Sequence, residues 1–244
     1  MDKKTAIITG SAKGIGKASA EKLARDGFNV VIIDLNQEAA AKVAFEIEEK
    51  YKVKTLAYAG DIRDFQAISD IVADVVNKLG RIDVLVNNAG IVSNAGDICE
   101  TSDDDWYKIM DVNLLGTVNC TKAVVPLFKE QKSGRIINLS SIAGQRGTMA
   151  VSLAYGASKA AIINLTKSLA MQLAKYNINV NSVSPGLIIS DMTAGFDTHK
   201  AEIVPLGRLG TVEEVAGSIA FLAGDDSSYI TGFTIDVNGG FYLR

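Results

Sequence analysis

Residues 5–23 read Thr-Ala-Ile-Ile-Thr-Gly-Ser-Ala-Lys-Gly-Ile-Gly-Lys-Ala-Ser-Ala-Glu-Lys-Leu, and this stretch decides the fold. Thr5–Thr9 is a short apolar, β-branched run of the kind found in strands covered on both faces. The turn Gly10-Ser11-Ala12-Lys13-Gly14-Ile15-Gly16 follows at once and opens a helix-length segment at 14–26. Glycines here let the chain turn sharply, let backbone N–H groups approach a diphosphate, and seat the helix against the sheet. The helix N-terminus adds partial positive charge at the same place. The spacing is Gly-x3-Gly-x-Gly rather than the commoner Gly-x-Gly-x-x-Gly. Taken alone, the segment also reads as a glycine-rich turn with no ligand.

Working outward, similar runs recur at Asn29–Ile33, Lys54–Ala59, Val84–Val86, Arg135–Leu139, Asn179–Val183 and Phe233–Val237. Helix-length segments lie between them at 14–26, 37–50, 64–79, 102–130, 153–175 and 211–223, with Asp64, Ser102 and Thr211 as caps and Thr211-Val212-Glu213-Glu214 as a capping box. This alternation fits a (β/α)₈ barrel or an open sheet, and the first strand-to-helix turn favours the open sheet. The expected fold is a single-domain, Rossmann-type α/β fold over residues 1–244, a doubly wound parallel sheet of about seven strands with helices on both faces. Pro126, Pro185 and Pro205 are scattered, and no Gly/Ser tract separates two halves.

The 244 residues are 48% hydrophobic and 22% charged, which excludes disorder as the dominant state. With 25 basic and 28 acidic residues and no basic run, a nucleic-acid footprint is not expected. Two cysteines, Cys99 and Cys120, and one histidine, His199, leave no metal site, disulfide scaffold or His-based triad in prospect. His199 reads as a surface residue and the cysteines as packed thiols. No signal-peptide pattern and no apolar run of spanning length occurs, so the expected location is the cytoplasm, off the membrane.

Asp34 ends the second strand, eighteen residues beyond Gly16. A carboxylate there can accept hydrogen bonds from both ribose hydroxyls of an adenosine and repel a 2′-phosphate, although an aspartate after a strand can also cap a helix. Lys13 pulls the other way, since a cation could attract a 2′-phosphate. NAD is therefore expected over NADP.

Tyr155 and Lys159 stand four apart in a helical stretch and share a face. A free phenol, with a pKa near 10, is a poor base; an ammonium about 4–5 Å away would lower it into the range of a general acid/base. Ser140-Ser141 closes the fifth strand, where carboxyl ends line a ligand crevice.

Together these pieces resemble the short-chain dehydrogenase/reductase family along essentially the whole chain. The matching residues are Thr9 to Gly16, Asp61, Asn87-Asn88-Ala89-Gly90, Asn113, Ser141, Tyr155-x3-Lys159 and Pro185-Gly186. The resemblance implies that Tyr155 is the acid/base, that Lys159 lowers its pKa and binds the nicotinamide ribose, and that Ser141 orients the substrate oxygen. Asn113 would hold a water linking Lys159 to solvent. Gly10, Ser11, Lys13, Gly14, Ile15 and Gly16 would cradle the diphosphate, with Asp34 and Leu35 on the adenosine and Asp61 and Ile62 at the adenine. Asn87, Asn88, Ala89 and Gly90 would support the middle of the cofactor, and Pro185, Gly186, Ile188 and Ser190 would meet the nicotinamide. The implied reaction is hydride transfer between NAD and a secondary alcohol or ketone.

The nearest subgroup is the β-ketoacyl-(acyl carrier protein) reductases, through Leu206-Gly207-Arg208-Leu209 and Tyr229-Ile230-Thr231-Gly232. Those enzymes usually prefer NADPH, against Asp34, and tend to carry an arginine where this chain has Met171. The 191–205 segment, expected to cover the substrate, is several residues short. Reduction of 3-oxoacyl chains on acyl carrier protein with NADPH is the alternative; a non-catalytic NAD-binding sensor or scaffold is the second. The family further implies a homotetramer pairing the segments 102–130 and 153–175 and the last strand, with Phe241 and Tyr242 buried at a neighbouring subunit. Segments 91–98, 143–153 and 187–204 set the substrate pocket and show no charge signature.

Overall fold

The computed structural model describes residues 3–94, 96–147, 149–190 and 198–243. Seven strands form one parallel sheet: β1 (Thr5–Thr9), β2 (Asn29–Asp34), β3 (Thr55–Ala59), β4 (Val84–Asn87), β5 (Gly134–Leu139), β6 (Ile178–Pro185) and β7 (Thr234–Val237). Their order is β3-β2-β1-β4-β5-β6-β7, and every adjacent pair is parallel. The strands lie within a few residues of the expected runs because their apolar content reports burial on both faces.

Successive side chains point to opposite faces, so each strand feeds two cores. On one face, Ala6, Ile8, Val30, Ile32 and Val86 meet α1 (Gly14–Arg25), α2 (Gln37–Tyr51) and α7 (Val212–Ala223). On the other, Ile7, Val31, Ile33, Leu85 and Ile136 meet α3 (Phe65–Leu79), α5 (Gly116–Gln131) and α6 (Leu153–Leu173). The caps hold as read. The side chains of Asp64, Ser102 and Thr211 accept the backbone N–H groups of Ala67, Asp105 and Glu214, and Glu214 returns the bond to the Thr211 N–H to complete the capping box. Asn36, not Asp34, caps α2.

One expectation is corrected. The single helix over 102–130 is α4 (Asp103–Met110), a π-helical segment (Asp111–Leu115) and α5. The wider turn is closed by a bond from the Gly116 N–H to the Asp111 carbonyl. Gly116 sits where a Cβ would strike the side chain of Ile62, so the helix accommodates its neighbour at this point. The bulge presents Asn113, and such bulges are frequent at functional sites. Among the described residues, no helix is long and apolar enough to cross a membrane.

Phe128 of α5 is fully buried against β5. Its replacement by alanine should destabilise the fold by about 3–5 kcal/mol, whereas Thr211→Ala, which removes an exposed cap, should cost about 1 kcal/mol. Urea midpoints would check the ranking.

Candidate active site

The chain leaves β1 toward β2 on one side and reaches β4 on the other, which opens a crevice at the carboxyl ends of β1 and β4. The glycine turn lines it. Gly10 has φ +62°, and a Cβ there would lie 2.8 Å from the Cα of Ala89. A Cβ on Gly16 would collide with the Gly10 carbonyl oxygen, while Gly14, at φ +56°, faces open space. Asn88 locks this arrangement, its amide donating to the carbonyls of Thr9 and Gly10, both at 2.9 Å. Thr9 Oγ1 accepts the N–H groups of Asn88 and Ala89, both at 3.1 Å. The result is a close-walled backbone cradle at a helix N-terminus, which fits a dinucleotide diphosphate.

Beside the cradle, at the end of β2, Asp34 is half-buried and oriented by two backbone donors, Ala12 N–H at 3.0 Å and Asn36 N–H at 3.2 Å. Leu35 beside it is 72% exposed, and Lys13 is exposed. Three expected contacts change character. Ser11 is buried, its hydroxyl donating to the Ile8 carbonyl at 2.7 Å and its backbone N–H to the Ile33 carbonyl at 3.4 Å. Asp61 is gripped by the Arg63 guanidinium, which holds its carboxyl below the usual range. Ile62 turns its side chain into the core against Gly116.

A cleft of about 920 Å³ continues from this cradle. It is lined by Ile15, Asn88, Gly90, Ser141, Tyr155, Lys159, Pro185, Gly186, Ile188 and Ser190, together with apolar side chains. Ser152 caps α6, accepting the Tyr155 N–H, and thereby starts the helix that carries Tyr155 and Lys159. Ser141, in the turn after β5, hydrogen-bonds the Tyr155 phenol. Ser140 gives its hydroxyl to the Val183 carbonyl at 2.9 Å, so Ser141 is the serine available to a substrate.

Lys159 is buried, with Nζ donating to the Leu139 carbonyl at 2.7 Å and lying 5.7 Å from the centre of the Tyr155 ring. Burial pushes the Lys159 ammonium down from 10.5 to about 8. Burial also raises the Tyr155 phenol, partly offset by the Ser141 hydrogen bond. The expected lowering by lysine is thus absent from the protein alone, because the amine is turned to Leu139 and desolvation acts on both groups.

Asn113 also departs from expectation. Its side chain accepts from Ile91 N–H at 2.8 Å and donates to the Ile91 carbonyl at 2.9 Å and to Ser158 Oγ at 3.0 Å. Ser158 in turn donates to the Tyr155 carbonyl at 2.8 Å. The amide acts as a brace between residue 91 and α6. Sequence reasoning missed Arg146 and Phe241, which also line the cleft. Arg146 gives the 143–153 segment a charge after all. Phe241 lies in the cleft of its own chain, because the Gly239-Gly240 turn, with φ +62° and +86°, folds the tail back. Part of the 191–205 segment, residues 191–197, lies outside the described residues.

Two measurements probe this geometry. Gly10→Ala should weaken NADH binding at least tenfold and more than Gly14→Ala, read by fluorescence titration, because the added methyl meets backbone only at Gly10. For Lys159, the unfolded chain holds more protons between pH 8 and 10.5, so its cost to the folded state is complete below pH 8 and fades above it. Against Lys159→Met, the wild-type melting temperature should therefore rise between pH 8 and 10.5. A difference independent of pH would contradict the burial effect.

Comparison with known proteins agrees with this site. Residues 10–242 match the family described as enoyl-(acyl carrier protein) reductase. The chain is 39% identical over 244 residues to a 3-oxoacyl-(acyl-carrier-protein) reductase of Staphylococcus aureus, with 98% of each covered. It is 41% identical over 247 residues to the Thermotoga maritima protein of the same name, covering 100% of this chain and 99% of that one. A Brucella melitensis 3-oxoacyl-(acyl-carrier protein) reductase with bound NAD superposes with a TM-score of 0.93 at 35% identity, covering 99% of this chain and 92% of that one. An NAD⁺-bound xylitol dehydrogenase gives 0.91 at 34%, covering 97% and 98%. The chain belongs to the short-chain dehydrogenase/reductase family and is an NAD(P)-dependent oxidoreductase.

Proposed function

We propose that this enzyme reduces the 3-oxo group of acyl thioesters, with NADH as the favoured reductant. The observation that carries the substrate class is near-full-length identity of about two-fifths to 3-oxoacyl-(acyl-carrier-protein) reductases. NADH is favoured by Asp34, whose carboxylate is held in place by the backbone N–H groups of Ala12 and Asn36. A carboxylate and a phosphate about 4 Å apart repel by about 4 kcal/mol at an effective dielectric of about 20. Lys13 is exposed, so its attraction for a 2′-phosphate is screened.

When bound, the nicotinamide supplies a hydride. The cradle and Asn88 would hold the dinucleotide, and Ser141 would donate to the substrate carbonyl oxygen. Tyr155 would then deliver the proton to that oxygen; a phenol raised by burial keeps this proton at neutral pH, which is the state reduction needs. Lys159 would bind the ribose and bring positive charge toward the phenolate that forms. Asn113 would brace residue 91 and α6. A second reading, oxidation of a small polyol, draws on the likeness to xylitol dehydrogenase and on Met171, 85% exposed where an acidic carrier protein would meet an arginine.

The enzyme would be a cytoplasmic, single-domain homotetramer. The free thiols Cys99 and Cys120 suit a reducing compartment, and exposed apolar side chains on α4 (Tyr107), on the π-helical segment (Leu115) and around α7–β7 (Phe221, Phe233) would be covered by neighbouring subunits. Light scattering should give four times the chain mass.

Absorbance at 340 nm tests the reaction. A 3-oxoacyl thioester should consume NADH faster than NADPH, and Asp34→Ser should reverse the preference. Tyr155→Phe should keep NADH binding and lose at least about 100-fold in kcat. No turnover of the thioester, with xylitol oxidised by NAD⁺, would establish the second reading instead.

A further inference from the structure

We propose that Arg146, stacked on Phe241, forms a subsite for an anionic oxygen group, a carboxylate or a phosphate, carried by the oxo substrate. The inference rests on the reading of the cleft as the substrate site. Arg146 leaves the same turn as Ser141, its N–H bonded to the Ile142 carbonyl at 3.0 Å, so both residues belong to one hydrogen-bonded turn. Its guanidinium lies 4.7 Å from the centre of the Phe241 ring.

The platform beneath it is built. Asn238 accepts the Phe241 N–H at 3.1 Å and the Gly240 N–H at 2.9 Å, and donates to the Tyr242 carbonyl at 3.0 Å. This pins the ring. Stacking occupies the face of the guanidinium and leaves its edge N–H groups outward, the geometry that suits paired oxygens of a carboxylate or phosphate. Among the described residues, Arg146 has no hydrogen bond or ion pair through its side chain. Among the described residues that line the cleft none is acidic, and Lys159, the other cation among them, is committed to Leu139. Most of the remaining wall is apolar, including Val92, Ile142, Val151 and Leu187. Arg146 is exposed, but the Phe241 ring beneath it gives the guanidinium a defined place, so a substrate that brings the counter-charge to its edge is favoured.

Two matched pairs separate the possible sources of that charge. For phosphate, 3-oxobutyryl-coenzyme A is compared with the uncharged N-acetylcysteamine thioester; for carboxylate, 4-oxopentanoate is compared with its methyl ester. With NADH saturating, the wild type should favour the charged member of one pair at least tenfold in kcat/KM. Arg146→Gln should remove that ratio through KM, and Phe241→Leu should reduce it. Equal rates within both pairs, or a ratio unaltered by Arg146→Gln, would overturn the subsite. If none of the four is turned over, the proposed reaction fails, and calorimetry of the NADH-bound enzyme decides the subsite independently. 4′-Phosphopantetheine and 4-oxopentanoate would be titrated: tenfold weaker binding of either to Arg146→Gln upholds the subsite, and unchanged binding of both overturns it.

Discussion

The contact between the glycine turn and residues 88–90 is the constraint on which the site depends. Gly10 approaches Ala89 so closely that no Cβ fits, and the Asn88 amide spans the carbonyls of Thr9 and Gly10. This sews the end of β1 to the end of β4 where the strand order reverses. From there the order passes along the chain. Ile91 is held at both backbone groups by Asn113, Asn113 donates to Ser158, Ser158 bonds the Tyr155 carbonyl, and Lys159 on the same helix reaches the end of β5. The glycine cradle and the side chains of the cleft are thus parts of one bonded network, the kind of preorganisation that catalysis by positioning requires.

How much of this was legible follows from which signals are local. The strands and most helix ends could be read because burial on both faces and capping are written in adjacent residues. The glycine turn, Asp34, Tyr155, Lys159 and Ser141 fall around one crevice, since each marks a strand end or a helix face. Three kinds of feature were not legible. The π segment keeps the apolar pattern of a helix, and the neighbour packed at its end, Ile62 against Gly116, is remote in sequence. The spent side chains of Ser11 and Asn113 look like free polar groups until their partners, Ile8, Ile91 and Ser158, are placed. Arg146 meets Phe241 only because the tail folds back over nearly a hundred residues of intervening chain, a contact no local spacing records.

Burial of Tyr155 and Lys159 gives the site its electrostatic character. Desolvation disfavours charge on either group, so it raises the phenol and lowers the ammonium, bringing two pKa values that begin near each other into reversed order. At neutral pH this leaves the phenol neutral and Lys159 still largely an ammonium. The Leu139 carbonyl accepts from the amine without adding charge, and Ser141 favours the phenolate slightly through its hydrogen bond. Lowering the phenol would require the ammonium to leave Leu139 and come nearer than its present 5.7 Å from the ring centre. Because Lys159 is nearly out of water, that small movement acts in a weakly screened environment, where each ångström counts for more than it would at the surface. In this structure the Tyr155 phenol is therefore governed by desolvation and by Ser141, not by the sequence spacing that places Tyr155 and Lys159 on one face.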